Sequence, residues 1–474
     1  MDAQKSTTKK PFPKPIKFTK LLGPSFIILA LGLGSGEVIL WPYLTSNWGL
    51  GIAWGALLGI TFQFFMNMEI ERYALARGES VFVGFNKMFK WAAYWFIIST
   101  FIGFGLPGII AASAQVVASL FGVTQFKWLA ILFLIIIGLI LSSGKTVYGM
   151  MEKITKTIIF LGIPLIIVLA IILASGVDWL ELLKGLVGQG QNYSFLPSGI
   201  AFATFFAAFA YAGAGGNLNL TQSIYVKEKG YGMGAYAQKI SGLFKNLKEN
   251  QQIKLEGQDF DLTEDNLKNF KAWWKKINLE HLSVFWFCGF LAMSLLMLLS
   301  YTTTFSLSNN AQGINFVINE GSQISQLIHP IIGIIFLVVV GIMLFQTQLG
   351  ILDSTSRIMA ENFALKRIDA VNSQDKKINL SKIYFAFLWA QIIFGITLFL
   401  FGLTEPKFLI VLGAVINAVS MFVHVGMTTL MNRRLLPIQL RPAIWRMIIM
   451  VIIFVVFGIF SVVTVWDTIA KFIF

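Results

Sequence analysis

A chain of 474 residues that is 56% hydrophobic and only 13% charged, with a mean hydropathy of +0.73, is too apolar for a soluble globular protein. Its single cysteine, Cys288, excludes an intrachain disulfide, and three histidines beside that one thiol leave no zinc-spaced or soft-metal set. A net charge of +14 invites a polyanionic partner, and the distribution of that charge argues against one.

Eleven apolar runs, each near the ~20 residues that a bilayer requires, fall near 22–46, 50–69, 93–121, 128–142, 157–175, 197–225, 283–305, 329–356, 383–402, 407–431 and 444–466. Threaded alternately from a cytoplasmic N-terminus, they leave only Lys127, Lys184, Lys407 and Lys471 on outer segments, and the other 33 of 37 Lys and Arg inside. That is the positive-inside bias. The basic charge reports topology, so the partner is a lipid bilayer and not nucleic acid. The expectation is an all-α integral protein of the plasma (bacterial inner) membrane.

In chain order, residues 1–20 form a basic cytoplasmic tail without a cleavable signal, and 21–474 form one transmembrane domain. Span one is interrupted by Gly32-Leu33-Gly34-Ser35-Gly36-Glu37. Span two carries Gly51, Gly55 and Gly59 at the four-residue spacing of close helix packing. It ends in Glu69 and Glu71 beside Arg72, a pattern that reads as interfacial solvation. Pro107 and Pro164 read as kinks in spans three and five.

Span six is interrupted by Gly213-Ala214-Gly215-Gly216-Asn217. After it, 226–282 reads as a polar cytoplasmic insert whose Phe270, Trp273 and Trp274, interleaved with lysines, rest on lipid headgroups. Residues 306–327 read as a solvated outer loop. In span eight, Gln346, Gly350, Asp353 and Arg357 share one helix face. There Asp353-Ser354-Thr355 offers hard oxygens to Na⁺, and pairing of Asp353 with Arg357 is the equal alternative. In span ten, Asn417, Met421, His424 and Thr428 share a face, and His424 is a candidate proton carrier whose plainer reading is packing.

Lipid cannot hydrogen-bond a bare backbone, so a span unwinds only where protein or water meets it. Two interrupted spans in equivalent places of two halves point to the binding site of an inverted-repeat transporter. The expectation is therefore a 5+5 repeat plus one further helix, with helices one and six unwound. Gly34, Ser35, Gly36, Glu37, Ala214, Gly215, Gly216 and Asn217 would line the site. Glu37 is the one carboxylate at either break, and reads as a cation-binding or proton-carrying group ahead of a simple helix cap. No enzyme constellation is present, and no cofactor is expected beyond Na⁺ or H⁺ as a coupling ion.

Gly23-Pro24, Met68 to Gly78, Leu120-Phe121-Gly122, Asn217-Leu218 and Met359-Ala360-Glu361-Asn362-Phe363, with the eleven-span count, resemble the Nramp family of proton-coupled divalent-metal transporters. The resemblance implies the LeuT-type fold. It does not carry over the family's ligands. The family's Asp-Pro-Gly-Asn break matches Gly34 to Glu37, its metal-binding Met and two histidines match Ala214, Gly216 and Thr221, and its span-three glutamate matches Ile109. The resemblance thus implies a secondary transporter of a small inorganic ion by alternating access, with poor provision for Mn²⁺ and Fe²⁺. Glycine-rich breaks expose N–H groups that suit a small oxyanion such as bicarbonate in symport with H⁺ or Na⁺, the favoured reading. A hard divalent cation, Mg²⁺ or Mn²⁺, held by Glu37 and Asn217, is the alternative. A non-transporting membrane sensor is the third reading, disfavoured by the few residues after the last span.

Overall fold

The computed structural model describes residues 9–18, 21, 23–34, 36–143, 147–237, 255–305, 307, 310, 313–370 and 379–473. Among these the architecture is all helical, with one isolated bridge between Gln189 and Ser194. Span one is α1 (Pro24–Gly32), a π-helical segment (Gly36–Leu40) and α2 (Trp41–Trp48). Span two is α3 (Ala53–Arg77), followed by a short α4 (Val81–Met88). Span three divides at Pro107 into α5 (Ala92–Phe104) and α6 (Gly108–Ser119). Next come α7 (Lys127–Ser143), α8 (Val147–Leu173), which runs through Pro164, and α9 (Gly176–Gly185).

Span six is two nine-residue helices, α10 (Phe202–Ala210) and α11 (Thr221–Lys229), with a 3₁₀ turn (Gly216–Leu220) before the second. The remainder is α12 (Glu264–His281), α13 (Cys288–Thr304), α14 (Asn315–Leu327), α15 (Pro330–Ala370), α16 (Leu380–Leu400), α17 (Pro406–Leu435) and α18 (Ile444–Ile473). Nine helices among the described residues are long and apolar enough to cross a membrane, and α7 is a shorter apolar one.

Packing follows side-chain size. On α18, Met450, Ile453 and Phe457 sit against Phe206, Phe209, Met421 and Val425, while Ile448, Val451, Val455, Ile459 and Val462 remain exposed. An outward apolar face is what a lipid-bathed helix presents. Gly55 lies against Phe205 and Trp41, and Gly59 against Phe209 and Ala212, so the glycine stripe of span two brings α3 onto α10.

Two loop readings change. The 226–282 stretch is not all an insert: α12 continues through a π-helical segment (Leu282–Phe287) into α13, one rod of 41 residues from Glu264 to Thr304. Residues 238–254 of that stretch lie outside the described residues. Phe270 and Trp273 do not rest on headgroups, because both are buried in protein, and the half-buried Trp274 packs under Arg72, whose Cζ lies 3.9 Å from its ring centre. The described part of the tail runs along them. Phe12 packs edge-on to Phe260 and Phe270 at 4.8 and 5.7 Å, and Trp273 Nε1 donates to Pro13 O at 3.0 Å. Within 306–327, α14 buries Phe316, Val317, Glu320 and Ile324, and this burial pushes the Glu320 carboxyl well above the usual carboxylate range.

Candidate functional site

The two breaks meet backbone to backbone. Helix α1 ends at Gly32, Ser35 lies outside the described residues, and helical structure resumes at Gly36. Helix α10 ends at Ala210, and Gly213, Gly215 and Gly216 take φ of +139°, +72° and +55°, values that favour glycine. A Cβ on Gly32 would lie 2.7 Å from Gly213 C, and one on Gly36 only 1.7 Å from Tyr211 O. Gly34 packs as closely on Thr347, whose hydroxyl donates to Ala30 O at 2.9 Å. Gly36→Ala is therefore expected to cost about 3 kcal/mol by overpacking, seen as a lower melting temperature in detergent. Gly176→Ala, where nothing lies within 4 Å, is the control. Equal melting of the two variants would mean that the breaks are not in contact.

Gln63 on α3 holds the second break. Its Oε1 accepts from Gly215 N–H at 3.0 Å and Asn219 Nδ2 at 3.1 Å, while its Nε2 donates to Ala210 O at 2.9 Å. The expected free N–H of Gly215 is thereby used. Asn217 Nδ2 donates to Ser99 Oγ and Thr100 Oγ1 at 2.8 and 2.9 Å. Since Ser99 spends its own hydrogen on Trp95 O, that amide orientation is fixed and Asn217 Oδ1 is left without a partner among the described residues. Asn417 repeats the pattern. Its Nδ2 donates to Gly103 O and Tyr211 OH, and its Oδ1 is unpartnered among the described residues. His424 Nε2 lies 3.1 Å from Gly216 O and donates to it, so His424 is tied directly to the break. Ala214 is buried and contributes no side-chain ligand.

Glu37 is fully buried, and neither carboxylate oxygen has a hydrogen-bond partner among the described residues. It caps no backbone N–H. Its Oε1 would lie 3.5 Å from a Cβ on Gly289 of α13, a point also approached by Ile60 and Leu29. Glu37 thus faces α13 while Asn217 faces α5, and the structure does not turn these two residues to one partner. A cavity of about 20 Å³ adjoins the second break, lined by Gly103, Ile109, Tyr211, Gln348 and Gly413 among others. It has room for one water or one bare ion.

The span-eight oxygens are all engaged. Arg357 Nε lies 2.9 Å from both oxygens of Asp353, Tyr384 OH donates to Asp353 Oδ1 at 2.8 Å, and Arg357 Nη1 donates to Glu228 Oε1 at 2.6 Å. Ser354 Oγ meets Tyr225 OH at 2.7 Å, and Thr355 Oγ1 lies 2.7 Å from both Ile351 O and Gln391 Oε1. The sequence pattern therefore resolves as the Asp353–Arg357 pair, within a buried cluster.

The interfacial reading of Glu69 and Glu71 fails, because both are buried. Glu69 is clasped by Arg72 at 2.7 Å and Arg446 at 2.6 Å. Glu71 has no such cation among the described residues; its Oε2 accepts from Gln222 Nε2 at 3.3 Å. Gln63, Asn67 and Glu71 stand at four-residue steps on one face of α3 and meet Asn219 and Gln222 of span six. Polar residues at that period in an apolar span were a legible signal. Beyond them lie Glu280, Ser25 and His281, all fully buried.

No family model matches the chain, and no curated protein matches it. Solved structures do. A point mutant of the Eremococcus coleocola manganese transporter superposes with a TM-score of 0.71 at 10% identity, over 99% of this chain and 92% of its own. Mhp1, a nucleobase-cation-symport-1 family transporter in a closed conformation with bromovinylhydantoin bound, gives 0.52 at 13% identity, over 96% and 94%. MhsT in complex with L-phenylalanine gives 0.50 at 14% identity, over 93% and 97%. At such identities the likeness establishes the fold alone, and that fold is the LeuT type, shared with transporters.

Proposed function

We propose that the chain is a secondary transporter that moves a small inorganic cation past the paired breaks, with Glu37 as the coupling group. One observation carries the sign of the charge. Around the breaks the unsatisfied side-chain oxygens, both of Glu37 and the Oδ1 of Asn217, Asn219 and Asn417, outnumber the unsatisfied donors, Trp41 Nε1 and Asn67 Nδ2, among the described residues. Carboxylate and amide oxygens suit a hard ion that keeps part of its water, such as Mg²⁺. Bicarbonate needs free donors, and of the Gly215 and Gly216 N–H groups on which that reading leaned, that of Gly215 already serves Gln63. Manganese is the cargo of the Eremococcus coleocola transporter, and a likeness at 10% identity does not carry it to this chain. Here Gly34 and Ala214 offer no ligand where the Nramp pattern has Asp and Met, so thioether selection for Mn²⁺ is missing. The fold relationship and the apolar spans support transport over sensing.

Flux into proteoliposomes tests the reading, with Mg²⁺, Mn²⁺ and bicarbonate offered separately under imposed H⁺ and Na⁺ gradients. Saturable Mg²⁺ uptake is expected, with Mn²⁺ a poor substrate and bicarbonate inert. Concentrative bicarbonate uptake would reverse the sign assigned to the site. Saturable Mn²⁺ uptake at micromolar concentration would show that the lost ligands do not matter.

A further inference from the structure

The turn that leads from α17 into α18 carries Arg433, Arg434, Arg441 and Arg446, and residues 406–466 contain no Asp or Glu. Arg446 is answered from another element, by Glu69 at 2.6 Å. The other three are exposed, and none of them forms an ion pair among the described residues. Arg441 is held in place through Nε, which donates to Leu436 O at 2.9 Å, and this leaves its two terminal nitrogens for an outside acceptor.

Between Arg433, Arg441 and the first turns of α18 runs an open groove of about 600 Å³. Its apolar wall includes Ile438, Ile444, Ile448 and Val451. Ile438 and Ile444 are 77% and 78% exposed, although both lie beside cations on a polar turn. A groove that is charged at one end and apolar along the rest matches a molecule built the same way.

We propose that this groove binds an anionic phospholipid of the adjoining leaflet, its phosphate held by Arg433 and Arg441 and an acyl chain lying along α18. Guanidinium groups offer forked donors to phosphate oxygens, and basic pockets at the membrane surface select anionic headgroups. The depth is right as well. Trp445 is exposed next to the groove, and tryptophan at that place marks the headgroup level. From Ile444 to Val451 the helix descends about 10 Å at 1.5 Å per residue, into the hydrocarbon.

Other occupants fit less well. A soluble polyanion would satisfy the arginines and leave the isoleucines in water. A second copy of the chain in a two-fold contact would set the same arginines against each other. A zwitterionic lipid brings its own cation to the arginine pair. Occupancy would also brace the fold, because the turn is bonded to span two: Arg72 Nη1 donates to Leu440 O at 3.3 Å and Arg77 Nη2 to Leu435 O at 3.0 Å. The site stands whether or not the chain transports.

Native mass spectrometry of the purified, delipidated full chain tests it, with phosphatidylglycerol or phosphatidylcholine of identical acyl chains added back. Wild type should retain phosphatidylglycerol about tenfold better, the order expected of two cations near a membrane surface. The double variant Arg433→Gln, Arg441→Gln should lose that preference. A charge-matched control, Arg434→Gln with Lys382→Gln, removes two exposed cations outside the groove and should keep it. Ile448→Trp fills the apolar wall and should weaken retention of both lipids. All five positions are exposed, so the variants should fold, and phosphatidylglycerol should raise the melting temperature of wild type and the control but not of the arginine pair variant. Equal retention of the two lipids by wild type overturns the site. A control that loses the preference as fully as the arginine pair variant reduces the effect to diffuse surface charge and overturns it too. Unchanged retention by Ile448→Trp removes the acyl chain from the groove, and a lipid-free dimer abolished by the same substitution gives the groove to a second copy instead.

Discussion

Glu37→Gln is expected to abolish the dependence of Mg²⁺ uptake on an imposed H⁺ or Na⁺ gradient, while the protein folds as well as wild type. Both halves of that result follow from the same surroundings. Both carboxylate oxygens are buried without a partner, beside Gly289, Ile60 and Leu29, so no hydrogen bond is lost when one oxygen becomes an amide nitrogen. The amide replaces a carboxyl that has no ion pair among the described residues, so the melting temperature should stay close to that of wild type. What disappears is the one carboxylate in either break segment. Passive equilibration of Mg²⁺ down its own gradient can persist, since the oxygens of Asn217 and Asn417 are untouched. A variant that still concentrates Mg²⁺ as wild type does would make Glu37 a mere buried acid and move the search for coupling to His424.

Arg357→Met should produce the largest loss of stability of any single substitution considered. Arg357 is fully buried and holds Asp353 and Glu228 at once, with Tyr225 and Tyr384 completing the cluster. Taking away one member strands two carboxylates out of water, and breaking a buried pair in this way costs about 3–5 kcal/mol. The triple variant Asp353→Asn, Glu228→Gln, Arg357→Met removes every charge together and is expected to recover most of that loss. Thermal unfolding followed by tryptophan fluorescence compares the two. If the single variant melts with wild type, the cluster contributes little and its carboxylates have other partners.

How much of this was legible depends on which force wrote each feature. Bilayer thickness sets the length of an apolar run, so the spans could be read directly, and α15 and α17 fall where the hydropathy puts them. Glycine is required where two backbones touch, and Gly32, Gly36 and Gly213 stand at such contacts, so these positions are legible in the sequence. Charged groups were harder. Glu71 and Glu69 look alike in sequence, two acids beside an arginine at the end of a span. Arg446, 377 positions away from Glu69, is part of what separates a clasped acid from an unclasped one. Glu280 and His281 were hidden by a different effect. A polar amphipathic helix leads into span seven without interruption, and composition alone assigns both residues to the insert.

That uninterrupted rod has a mechanical corollary. From His281 to Glu264 it projects 18 residues beyond the π-helical segment, about 27 Å at 1.5 Å per residue. A rocking of about 10° at the pivot would sweep its far end through about 5 Å, by the same helical rise. The polypeptide from Lys10 to Pro13 is lashed along that rod, by Phe12 N–H on Asn266 Oδ1 near its far end and the indole of Trp273 on Pro13 O midway, and by Lys10 N–H on Asp259 O just ahead of it. A displacement of that size at the far end exceeds what the Phe12–Asn266 hydrogen bond can stretch, so the amino terminus must either travel with the lever or detach from it. A reporter fused ahead of residue 9 therefore rides on the needle of the gauge.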